Sequence, residues 1–94
     1  MKLNGRLGQV LGPFPAGEDL IAEGGAISEF TPEVTRPNLY KLGIQTTPGT
    51  IIKINNLNIK IGGTGMYELD EVVNVTSLIF PSGADENTIV DFVY

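Results

Sequence analysis

Apolar positions in the second half of the chain fall in short runs, alternating or unbroken, each closed by a turn signal. Thr50-Ile51-Ile52-Lys53-Ile54 and Leu57-Asn58-Ile59-Lys60-Ile61 flank Asn55-Asn56. Asparagine tolerates left-handed backbone, so this segment predicts a tight β-hairpin. Ile52 and Ile54 then share one face of the first strand, and Leu57, Ile59 and Ile61 one face of the second. Lys53, Asn58 and Lys60 face solvent. Further strands are predicted over Leu39–Gln45, with Gly43 as a bulge or close-approach point, and over Met66–Leu69. Val72, Val73 and Val75 lead into Thr76–Phe80, and Thr88–Tyr94 is a final strand. Ala26–Phe30 reads as a short strand ended by Thr31-Pro32, and Arg36-Pro37 is a second breaker. Thr47-Pro48-Gly49-Thr50 is a turn in which Pro48 presets φ and Gly49 supplies a positive φ. No helix longer than a turn is expected.

Residues 1–25 break this pattern, with six glycines plus Pro13 and Pro15. Such density disfavours any regular element. Yet the segment carries Leu3, Leu7, Val10, Leu11, Phe14, Leu20 and Ile21, which a disordered polar tail would lack. The expectation is an extended arm over 1–25 that docks on its own domain or on a neighbouring subunit, followed by a β-domain over 26–94. The fold class is all-β: a small antiparallel β-sandwich or barrel preceded by that arm.

A core this small supplies about 3–5 kcal/mol, and chains of this kind lean on disulfides, metals or oligomerisation. Cysteine and histidine are both absent, which removes disulfides and the commonest ligands for zinc, copper and iron. No cofactor is expected, and self-association is the remaining staple. The net charge of −5 and the scattered cations Lys2, Arg6, Arg36, Lys41, Lys53 and Lys60 argue against direct nucleic-acid binding. No apolar run approaches the ~20 residues of a membrane span. Met1-Lys2-Leu3-Asn4-Gly5 leads into no apolar signal segment, so synthesis in a cytoplasm is expected.

Candidate chemistry is sparse. Gly62-Gly63-Thr64-Gly65 lacks the lysine and following helix of a phosphate loop, and a strand connection is the simpler reading. Glu68, Asp70, Glu71, Asp85 and Glu86 carry oxygen ligands suited to calcium but follow no EF-hand spacing. The same carboxylates would need a cleft to act as a glycosidase pair, for which so small a core has little room. Asn74-Val75-Thr76 matches a glycosylation acceptor, relevant only in a secretory compartment. No catalytic residue is assigned, and no enzyme activity is expected. Leu7, Val10, Leu11 and Phe14 of the arm, with the aromatics Tyr40 and Tyr94, are the candidate interface residues.

Residues 36–94 also carry a resemblance. Arg36-Pro37-Asn38-Leu39-Tyr40-Lys41-Leu42-Gly43-Ile44-Gln45, Pro48-Gly49-Thr50, Ile59-Lys60-Ile61-Gly62 and Gly65-Met66-Tyr67-Glu68-Leu69-Asp70 carry most of it. With Thr76-Ser77-Leu78-Ile79-Phe80 and Val90-Asp91-Phe92-Val93-Tyr94, they resemble small β-rich virion proteins of tailed phages and prophages of Gram-positive bacteria. The resemblance implies a non-enzymatic structural subunit of head, neck, tail or baseplate, located in the virion and contacting copies of itself and other virion proteins. It supplies no active-site residue. The alternative is a β-module that binds cell-surface carbohydrate, disfavoured by the absence of tryptophan and the presence of only three tyrosines.

Overall fold

Two open antiparallel sheets face one core in the computed structural model, which describes residues 6–31, 39–69 and 74–94. In chain order the elements are β1 (Leu7–Leu11), α1 (Ala26–Phe30), β2 (Lys41–Gln45), β3 (Ile51–Ile54), β4 (Leu57–Lys60), β5 (Met66–Leu69), β6 (Leu78–Ile79) and β7 (Ile89–Val93). One sheet runs β1-β7-β2-β5 and the other β4-β3-β6. Chain turns carry the backbone between them, so sequence neighbours β2 and β3 lie in different sheets. The expected all-β class and antiparallel pairing are what the chain forms.

The hairpin follows from its residues. Ile52 pairs with Ile59 and Ile54 with Leu57. Asn55 and Asn56 adopt φ of 48° and 72°, the paired left-handed conformations that a two-residue turn between twisted strands needs. Ile52, Ile54 and Ile61 are buried and Ile59 half-buried, whereas Leu57 is exposed. Leu57 lies on the edge strand β4, beside the turn, where no described residue covers it. Asn55 does more than turn the chain. Its Oδ1 accepts from the backbone N–H groups of Thr76 and Ser77 at 2.9 and 3.1 Å, and its Nδ2 donates to the Asn74 carbonyl at 2.8 Å. One side chain thus pins the approach to β6 onto the hairpin.

That arrangement separates two effects. Asn55→Gly keeps the φ but removes these bonds, and is expected to cost about 1–2 kcal/mol. Asn55→Ala removes the same bonds and, unlike glycine, keeps a Cβ in left-handed backbone that alanine tolerates less well than asparagine, so it is expected to cost about 1 kcal/mol more than Asn55→Gly. Urea denaturation of the two variants is the measurement; equal stability of wild type and Asn55→Gly would mean the side chain holds nothing.

The expected Pro48-Gly49 turn forms, with φ of 89° at Gly49 and Thr50 N–H donating to the Thr47 carbonyl at 3.2 Å. Gly43 is neither bulged nor crowded. It pairs in register with Asp91 and Glu68, and a Cβ there would meet nothing nearer than 3.9 Å. Of Thr76–Phe80 only Leu78–Ile79 is strand, and of the preceding valines Val75 forms a single bridge with Leu39, while 70–73 lie outside the described residues.

One expectation is overturned. Ala26–Phe30 is a short helix, because Thr31 closes its last turn: its N–H and Oγ1 both donate to the Ile27 carbonyl at 3.1 Å. Residues 6–25 lie against their own domain, one of the two placements expected for them. β1 pairs antiparallel with β7 along its whole length, from Leu7 against Val93 to Leu11 against Ile89. Phe14 then bridges Ala84 and stacks on Phe80 at 5.5 Å between ring centroids. Asp19 bridges Ile79, extending the second sheet, and its Oδ1 accepts from the backbone of Ile21 and Leu78 at 3.1 and 3.2 Å. Leu20 and Ile21 are fully buried. The segment wraps both sheets and belongs to the core, docked on its own domain.

Gly8 shows the fit most directly. A Cβ at that position would sit 2.4 Å from the Phe92 ring, which packs edge-on against Phe30 of α1. The glycine that weakens β1 as a strand signal is the one that lets the helix and β7 close over it.

Candidate functional site

Strand alternation sorts the first sheet into an inner face and an outer one. Gly8, Val10, Leu42, Ile44, Val90 and Phe92 point inward. On the outer face the register builds three rows across four strands: Leu11, Ile89, Gln45 and Met66; then Gln9, Asp91, Gly43 and Glu68; then Leu7, Val93 and Lys41. The two end rows are mainly apolar, interrupted by Gln45 and Lys41, and the middle row is polar. Gln9 ties the middle row together, its Nε2 donating to Asp91 Oδ1 at 2.7 Å. Gly43, lacking a side chain, leaves an open, shallow depression flanked by Gln9, Lys41, Glu68 and Asp91.

The sequence-derived interface residues divide along this geometry. Leu7 is 83% exposed and Leu11 61% exposed, both on the outer face of β1. Val10 and Phe14 are buried: one faces inward on β1, the other stacks on Phe80, both within the chain's own core. Tyr40 and Tyr94 are half-buried, Tyr94 packing against Phe92 at 5.8 Å and under the Arg6 guanidinium at 5.9 Å. Phe30, 45% exposed beside Gly8, and Met66, 53% exposed on β5, join the exposed apolar set. Neither is among the candidate interface residues read from the sequence, where Phe30 and Met66 are placed only within short strands.

A second apolar groove opens between the sheets, lined by Ile54, Leu57, Ile59, Tyr67 and Leu69. The chain continues from Leu69 into 70–73, outside the described residues.

Among the expected calcium candidates, Glu68 stands on the outer face, Asp85 and Glu86 lie in the turn before β7, and Asp70 and Glu71 fall outside the described residues. Among the described residues no group of three or more acidic side chains converges in a way that could hold a metal ion. Asp85 is instead a turn organiser. Its Oδ2 accepts from Thr47 Oγ1, and its Oδ1 from Asn87 N–H at 3.0 Å and Thr88 Oγ1 at 3.3 Å. Thr88 Oγ1 lies 2.8 Å from buried Thr46 Oγ1, so a hydroxyl chain runs from the core to the carboxylate. The Gly62–Gly65 segment connects β4 to β5, a strand and not a helix following it. Gly65 holds φ of 71°, and a Cβ there would lie 2.5 Å from the Thr46 carbonyl oxygen.

The Thr47 hydroxyl above all, with Asn87 N–H and the Thr88 hydroxyl, holds the Asp85 carboxyl below the ordinary aspartate range against the opposing effect of desolvation. The folded state therefore gains from ionised Asp85 above that range and loses the gain as pH falls through the lowered value. Stability measured from neutral pH into the acid range is expected to drop more steeply for wild type than for Asp85→Asn. Parallel acid profiles would mean the carboxylate contributes no pH dependence.

Comparison of the chain with protein-family models, with curated proteins and with solved structures finds no match in any of the three.

Proposed function

We propose that this protein is a non-enzymatic structural subunit of a phage or phage-like particle, made in a host bacterial cytoplasm and built into the virion through copies of itself and other virion proteins. The observation that carries the reading is the distribution of exposed apolar side chains. Leu7 and Leu11 stand on the outer face of β1, with Met66 in the outer row of Leu11, and Phe30 is exposed on the inner side of β1 beside Gly8. A fold with neither disulfide nor histidine that leaves such a surface uncovered is suited to burying it against other proteins. The resemblance of residues 36–94 to small virion proteins of tailed phages supplies the particle.

Protein-level analysis of purified particles from a host that encodes the chain tests this. The expected result is the chain present in many copies per particle. Its absence from particles, together with binding of the purified protein to isolated cell-wall glycan, would replace this reading with the carbohydrate-binding one.

A further inference from the structure

We propose that β1 is the seam of a two-fold dimer, pairing antiparallel with β1 of a second copy of this chain, centred on Gln9. The inference deepens the subunit reading and rests on it. The Arg6–Tyr94 pair exchanges both backbone hydrogen bonds at 2.9 Å, and Gly12 N–H donates to the Thr88 carbonyl at 2.8 Å. The even-numbered residues of β1 therefore spend their backbone groups on β7. The N–H and C=O groups of Leu7, Gln9 and Leu11 point away from it. Among the described residues no strand lies beside that edge.

Free edges invite pairing, and charge, proline or a bulge within the strand is the usual protection. β1, Leu-Gly-Gln-Val-Leu, has none of these. The other outer strands are protected: β4 ends in Lys60, β5 carries Glu68, whose outward position would set carboxylate against carboxylate in a self-paired ladder, and β6 is covered by the Asp19–Leu20 segment.

The occupant is a second copy because the edge is self-complementary. Leu7 and Leu11 are symmetric about Gln9. Antiparallel pairing about Gln9 sets Leu7 of each copy against Leu11 of the other, and Gln9 against Gln9, with the outward backbone groups in phase. Charge agrees. Arg6 stands at one end of β1, while Gly12 at the other approaches the Asp85 carbonyl so closely that a Cβ would lie 2.2 Å from it. Antiparallel pairing brings Arg6 of each copy to the Asp85–Glu86 turn of the other. An otherwise repulsive −5 chain thus meets itself where its ends are opposite in sign.

The native chain has no cysteine, so a single one reports the seam. In a hydrogen-bonded antiparallel pair Cα atoms lie about 5.5 Å apart, within disulfide reach. Gln9→Cys is expected to form a disulfide dimer rapidly under mild oxidation, and Leu57→Cys, exposed on β4, far more slowly. Gln9→Pro removes the outward N–H, together with the Gln9–Asp91 side-chain bond and the φ freedom of that position, and Leu11→Glu places a charge against the partner's Leu7. Either is expected to weaken dimerisation about fivefold or more in sedimentation. Their β-type circular dichroism should be unchanged. Equal crosslinking of Gln9→Cys and Leu57→Cys would overturn the seam, as would a wild-type association that neither disrupting variant weakens. A chain that crosslinks at Gln9 yet is missing from particles would uphold the dimer and remove the virion role. A chain found in particles but monomeric and uncrosslinked would do the reverse.

Discussion

Removing residues 1–25 is expected to unfold the chain, not to release a trimmed β-domain. The deletion takes Val10, Phe14, Leu20 and Ile21 out of the core, all buried and the last two completely. It also strips β7 of its β1 partner and leaves Phe80 without the Phe14 ring stacked on it. Truncating one buried large side chain costs about 2–5 kcal/mol, and a domain holds only about 5–15 kcal/mol in total. Four such losses at once, with a sheet edge uncovered, exceed what 69 remaining residues can sustain. Far-UV circular dichroism and a thermal melt of 26–94 decide the matter. A cooperative melt with a β-type spectrum would show instead that 6–25 is a docked appendage.

Physical periodicity explains which parts of this fold were legible. The β3–β4 hairpin announces itself because both strands are rich in isoleucine and the turn residues are asparagines that accept positive φ. β7 and the Pro48-Gly49 turn are equally local statements. β1 is not, because Gly8 sits at an inward position where an apolar residue would normally mark the pattern. The reason for that glycine, the Phe92 ring, lies 84 residues away in the chain. Read for parity alone, Leu7-Gly8-Gln9-Val10-Leu11 does separate Val10 from Leu7 and Leu11, a distinction that treating the segment as irregular discards. Phe14, Leu20 and Ile21 follow no period; their segment is held by single bridges of Phe14 to Ala84 and of Asp19 to Ile79 that no local rule anticipates. In Ala26–Phe30, five residues are too few to distinguish a helical period from a strand one; Thr31, capping the Ile27 carbonyl, decides it. The candidate surface was half visible. Leu7 and Leu11 stand out as apolar residues in a glycine-rich stretch, whereas the outward placement of Met66, Ile89 and Val93 follows only from the register of the sheet.

Phe14→Ala and Phe80→Ala should each destabilise the protein by about 3–5 kcal/mol, the usual cost of replacing a buried phenylalanine. Phe80 is fully buried and Phe14 nearly so, and their rings stack with planes only 3° apart. Because the two side chains form one contact, removing both should cost less than the sum. The coupling is expected at about 0.5–1.5 kcal/mol, the range for a paired aromatic beyond its area burial. This contact joins the N-terminal segment to the loop after β6, so the cycle measures directly how firmly 6–25 is part of the core. Leu7→Ala and Leu11→Ala, truncating exposed side chains one strand away, should change the stability of the dissociated chain by less than about 0.5 kcal/mol. Urea denaturation at low protein concentration reads all of these. Additive losses at Phe14 and Phe80 would mean the rings stabilise separate regions. A loss at Leu7 or Leu11 as large as at Phe14 would mean that β1 buries its outer face within a single chain, which would leave nothing for a partner to cover.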